Sequence, residues 1–163
     1  MPTELNINTP DAVDEISPHL HRCWYASRRI VVYDIFDISR GIINDWAELA
    51  LNTIQTWAAG QPYLALHNIS YRGVAMKYSG LHLNIINPAI TDEGRQRLSA
   101  ILREKENFQG CIAPLVSIHF SGYFTRVLTD KALRNRPARN FQYKIFTEKE
   151  PALSWLATAI TSV

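Results

Sequence analysis

The segment LALHNISYRGVAMKYSG, Leu64 to Gly80, opens as a buried strand and then breaks into hydroxyls, cations and glycines. Ser70, Arg72, Lys77, Ser79 and Gly80 are the residues in it with chemistry to offer. Ser70 and Ser79 bracket a loop whose backbone N–H groups, with the helix terminus that follows, carry partial positive charge and attract anions. Arg72 and Lys77 add to that field. The spacing of Gly73 and Gly80 matches neither a phosphate loop nor a dinucleotide fingerprint. The plainer reading is a strand end and a turn, with Met76, Leu81, Leu83, Ile85 and Ile86 as core.

Other chemistry-bearing spacings lead to less. In HLHRC, His19, His21 and Cys23 lie two apart, so on a strand they share one face in the manner of metal ligands. No second Cys/His cluster completes a four-ligand site, and no metal is expected. Ser117, His119 and Ser121 in VSIHFSG lack a G-x-S-x-G elbow, and alternate strand positions do not by themselves make a hydrogen-bonded pair. Asp34 and Asp37, three apart on a strand, face opposite sides and cannot act as a carboxylate pair. No catalytic residue or cofactor follows, and the chain reads as a non-enzyme.

Charge is unevenly placed. Between Tyr123 and Lys144 stand Arg126, Lys131, Arg134, Arg136, Arg139 and Lys144 against Asp130 alone, so that window carries +5 and the rest −3 of a total of +2. Arg134, Arg136 and Arg139, in KALRNRPARN, offer a surface to an acidic protein partner or a small anionic ligand. Nucleic acid would call for interleaved stacking aromatics, whereas Tyr123, Phe124, Phe141 and Tyr143 belong to the expected core.

These residues need a scaffold, and 163 residues at 47% hydrophobic and 20% charged suffice for one globular domain. No apolar run approaches the roughly 20 residues of a membrane span. The start MPTELNINTP has no signal-peptide character, so a soluble, cytoplasmic protein without integral membrane association is expected. Cys23 and Cys111, in strand-like contexts, read as buried reduced thiols.

Residues 1–18, polar with three prolines, form an arm or loop with room for one short strand, and 19–163 form a single domain. LHRCWYAS and RRIVVYDIFDIS pair as an antiparallel hairpin. Ile43, Trp46, Ala47, Ala50, Ile54 and Trp57 recur at helical spacing before Gly60 and Pro62. PYLALHNIS, GCIAPLVSI and NFQYKIF are strands; ITDEGRQRLSAILREKE, HFSGYFTRVLTDKALR and TEKEPALSWLATAI are helices, the last with a Thr147–Glu150 capping box. Strands alternating with helices predict an α/β sandwich: a mostly parallel sheet of four to five strands with an opening antiparallel hairpin. Ligands of such sheets collect where parallel strands end.

This order, the IVVYDIF strand, the HNIS strand end and the closing YKIFTEKEPALSWL, over roughly residues 20–160, resembles the STAS family of bacterial anti-sigma-factor antagonists and its divergent STAS-like branch. The resemblance implies a regulatory, protein-interaction module, with a D-L/F-S strand end and then D-S-S/T-G where a partner kinase phosphorylates serine. Asn68, Ile69 and Ser70 stand at the first motif; Lys77, Tyr78, Ser79 and Gly80 stand at the second, with one residue too many between. Lys77 replaces the acid and Tyr78 the phosphorylated serine, leaving Ser79 as the hydroxyl that would inherit the role. The contrasting expectation is a small-ligand protein for an anion, nucleotide or lipid, or an enzyme of unfamiliar type. A homodimer is compatible with either.

Overall fold

The structure, a computed structural model, describes residues 5–37, 39–71, 92–105, 107–120, 122 and 140–161. Among the described residues six strands form one mixed sheet in chain order: β1 (Ala12–Ser17), β2 (Leu20–Tyr25), β3 (Ile30–Ile35), β4 (Tyr63–Asn68), β5 (Gly110–Leu115) and β6 (Phe141–Tyr143). β1, β2 and β3 are antiparallel neighbours; β3 to β6 are parallel. The α/β class and the opening hairpin stand, but the sheet has six strands instead of four or five. The addition is β1, within the arm. An edge strand paired on one side and wet over much of its surface needs no sustained apolar alternation, and β1 leaves Val13, Glu15 and Ile16 exposed. Its acidic residues and a bulge between Glu15 and Ser17 blunt the edge against pairing with another chain.

Three helices among the described residues cover the sheet: α1 (Arg40–Thr56), α2 (Asp92–Glu104) and α3 (Lys149–Thr161). The apolar stripe of α1 buries Ile43, Trp46, Ala50 and Ile54; Trp57, just beyond the last turn, is also buried. The helix stops before Gly60, whose φ of 76° suits a residue without Cβ. α2 packs Leu98 and Ile101 beside α1, to which an Arg97–Glu48 ion pair ties it. α3 begins two residues after Thr147 and buries Ala152, Leu153, Leu156 and Ile160. The helix expected from His119 starts as a 3-10 turn at Ile118–Phe120, and most of its span lies outside the described residues.

Because successive strand residues alternate in direction, the sheet makes two cores. Val31, Tyr33, Ile35, Tyr63, Ala65 and Ile112 face the core of α1 and α2. Ile30, Val32, Leu64, Leu66, Cys111, Ala113 and Leu115 face that of α3. β3, β4 and β5 are buried throughout, which is why they read as near-continuous apolar runs. Gly110 is required by close approach, since a Cβ there would lie 2.1 Å from the Tyr63 carbonyl oxygen.

Candidate functional site

The densest chemistry on the α3 side of the sheet gathers at the carboxyl ends of β3 and β4. Asp34 shares a face with Ile30 and Val32, and Asn68 shares that face with Leu64 and Leu66; the parallel register sets Asp34 beside Asn68. Asn68 Nδ2 donates to Asp34 Oδ1 at 2.7 Å, inside a core that leaves Asp34 6% and Asn68 5% exposed. Asn68 Oδ1 in turn accepts from Ser70 Oγ at 2.7 Å and from the Ser70 amide at 3.2 Å. An Asn side chain turned onto the backbone two residues ahead ends a strand in a defined turn. Two more donors serve the carboxylate: the Tyr71 hydroxyl on Oδ1 at 3.4 Å and the Cys23 thiol on Oδ2 at 3.6 Å.

Position dictates the ionisation of these partners. Burial, joined by the negative charge of Asp34, pushes the Cys23 thiol up to about 11, so the reactive thiolate is suppressed near neutral pH. The same two causes push Tyr71 up to about 12. Lys149, in the first turn of α3, lies 5.4 Å over the Tyr25 ring. Burial works against its charge, but the Asp34 carboxylate and a hydrogen bond with Tyr25 outweigh that and lift it above the ordinary lysine value. Half-buried rings continue the surface outward, with Phe36 4.2 Å from Tyr71 and His21 4.9 Å from Phe36 between centroids.

Chemically this arrangement orients a hydroxyl without activating it. The Ser70 Oγ contact runs to an amide oxygen, which cannot take up a proton as a base would, while Asp34 is occupied by amide, phenol and thiol donors. What reaches the strand end is a fixed serine hydroxyl beside a phenol.

Of the residues singled out by sequence, Ser70 is at this site. Arg72, Lys77, Ser79, Gly80, Arg134, Arg136 and Arg139 lie outside the described residues. His19 falls in the exposed turn before β2, apart from His21 and Cys23, and no group of three or more His, Cys, Asp or Glu among the described residues is placed to hold a metal ion. Ser117, just past β5, keeps a buried Oγ with no hydrogen-bond partner among the described residues; His119 is exposed, and Ser121 is not described. Cys23 and Cys111 are free and buried. Among the described residues no helix is long and apolar enough to cross a membrane.

Sequence reasoning set Asp34 aside because Asp37 is not its partner; its partner comes from β4. The available signal was a charge inside the otherwise apolar IVVYDIF. No family model, curated protein or solved structure matches this chain.

Proposed function

We propose that this chain is a STAS-like, non-enzymatic regulatory module that presents the strand-end loops beyond Asn68–Ser70 to a protein partner. The observation that carries the reading is the Asp34–Asn68–Ser70 chain, which spends two buried polar side chains on fixing a strand end and, among the described residues, gives the serine hydroxyl an amide oxygen in place of a base. Such a strand end is where open α/β sheets engage their ligands. The sequential order of β3 to β6, with β6 followed at once by α3, agrees with the resemblance drawn from sequence. The basic residues Arg134, Arg136 and Arg139 would add attraction for an acidic partner surface.

Photo-crosslinking tests this directly. With Tyr71 replaced by p-benzoylphenylalanine and the protein expressed in its own host, irradiation should give a discrete adduct with a second protein. Ser70→Asp should abolish the adduct in a protein that still unfolds cooperatively. Absence of any protein adduct, together with a small molecule retained in native mass spectrometry, would overturn this reading in favour of a ligand carrier.

A further inference from the structure

The connection between β2 and β3 holds three consecutive residues, Ala26, Ser27 and Arg28, at φ of 55°, 57° and 61°. Residues with a Cβ avoid this left-handed region, and the turn has no glycine to accept it. Its own sequence therefore does not specify its shape. The turn closes on itself through the Arg29 amide, which donates to the Tyr25 and Ala26 carbonyls at 3.1 and 3.3 Å, and contacts from residues 5–11 brace it: the Ala26 amide donates to the Asn6 carbonyl at 3.2 Å, the Arg28 amide to Asp11 Oδ2 at 3.0 Å, and the Asp11 amide to the Trp24 carbonyl at 2.6 Å. Leu5 and Ile7 pack against the same core as Trp155 of α3. The anchoring is light, because Asn6 and Asp11 are exposed and Leu5 and Ile7 only half-buried. Segments held by few buried contacts open well before the whole chain unfolds.

The clamps fall on Trp24, Ala26 and Arg28, on both sides of Tyr25. Tyr25 lies under Lys149, and the next β2 side chain on that face is Cys23, 3.6 Å from Asp34. Asp34 Oδ1 accepts from Asn68 Nδ2 at 2.7 Å, and Asn68 Oδ1 in turn accepts from Ser70 Oγ at 2.7 Å. We propose that residues 5–11 are a strap: engaged, they hold the turn left-handed and β2 in the position from which Cys23 supports Asp34; released, the turn relaxes and the Asp34–Asn68–Ser70 chain loses its order. As regulation of a binding surface, the strap rests on the reading of that surface given above; as a coupling between two ends of the sheet, it does not.

The full-length protein carrying Ile7→Asp, which evicts the strap, tests the coupling by amide hydrogen exchange and NMR. Exchange at Ala26 and Arg28 should rise by about tenfold or more, and that at Ser70 should rise with it, while the Asn68 side-chain amide resonances shift. Adding Arg28→Gly, which removes the strain, should return Ser70 towards its slow rate. If Ile7→Asp does not fold, Asp11→Ala, at an exposed position, should move the same signals in the same direction by less. Fast exchange in the turn with Ser70 and Asn68 unmoved would overturn the proposal, as would a Ser70 response that Arg28→Gly leaves untouched. No partner enters the measurement, so failure of the photo-crosslink would sink the binding reading while leaving the coupling intact, and the reverse holds.

Discussion

The sheet carries a polar cluster in each of its cores, built from similar side chains to different ends. On the α1 face, Asp14 Oδ2 accepts from Arg22 Nε at 2.9 Å and from Trp24 Nε1 at 3.1 Å, and Arg22 donates onward to Thr53 of α1 at 3.1 Å. Behind them the Tyr33 and Tyr63 hydroxyls meet at 3.3 Å in full burial. One cation answers one anion, and the network pins the edge strand β1 and its neighbour β2 to a helix. On the α3 face, the Asp34 chain ends on half-buried Ser70 and Tyr71, where two parallel strands stop. Closure marks the first cluster as architecture; an end at the mouth of the sheet makes the second the candidate site. Topological position, more than residue type, separates them.

The largest effect should come from the packing on which both clusters depend. Trp46 is fully buried, edge-on to His67, with its Nε1 lacking a hydrogen-bond partner among the described residues. Trp46→Ala should cost about 3–5 kcal/mol in denaturant unfolding. Trp46→Phe should cost less, since it preserves much of the ring and forfeits no hydrogen bond seen here. Trp57→Ala belongs in the same range, because that ring stacks on Trp24, meets Tyr63 edge-to-face and also donates to the Pro62 carbonyl. A loss below about 1 kcal/mol at either position would mean that the α1 core is not packed as described.

How much of this was legible follows the same division. The α1 stripe, the hairpin and the buried parallel strands repeat with periods that burial imposes, so Ile43, Trp46, Ala50 and the VVY of β3 announced themselves. β1 did not, because an edge strand has little buried area to impose a pattern. Ser70 stood out by the break in composition that follows it. Asp34 did not, since its value lies in a β3–β4 register that brings together residues 34 apart in the chain. The left-handed turn was equally hidden, its cause lying in an arm far from it along the chain.

The next prediction sets the two carboxylates against each other. Asp34→Ala should cost about 1–3 kcal/mol, the penalty for stranding buried donors, whereas Asp14→Ala should cost no more than about 1 kcal/mol because its side chain is 39% exposed. Asp34→Asn should recover part of the loss by supplying an oxygen to Asn68 Nδ2. Equal costs for the two alanine variants would erase the distinction between the clusters.

Alkaline pH loads both clusters, since burial also raises Tyr33 and Tyr63 behind Asp14, and acid separates them. Cys23, Tyr71 and Lys149 all bind their protons more tightly in the folded chain, so unfolding releases protons and stability must fall as pH rises. The fall should begin near the ordinary thiol value of 9.0 and continue to about 12. The contribution of Lys149 is intact below its ordinary 10.5 and lost above it. Asp14 acts oppositely: burial raises its carboxyl, but its bonds to Arg22 and Trp24 outweigh that and hold it below the ordinary 3.8, so its contribution disappears only in acid. With the thiol at about 11, alkylation of Cys23 at pH 8 should run about a hundredfold slower than that of a free cysteine. Rapid labelling would show that the Asp34 cluster is open in solution.

The smallest expected effect on stability bears most on function. Ser70→Ala removes one half-exposed hydroxyl and leaves the backbone amide to hold the Asn68 turn, so unfolding should shift by only about 0.5–1 kcal/mol. If the strand end is a binding surface, the photo-crosslink from position 71 should nevertheless weaken severalfold, because an oriented hydroxyl at an interface loses its partner altogether. Asn68→Ala should do both, freeing the turn and leaving Asp34 without its strongest donor, and so cost more than the serine change in stability. A Ser70→Ala protein that crosslinks as well as the parent would move the recognition surface away from this hydroxyl and towards the rings of Phe36 and Tyr71 beside it.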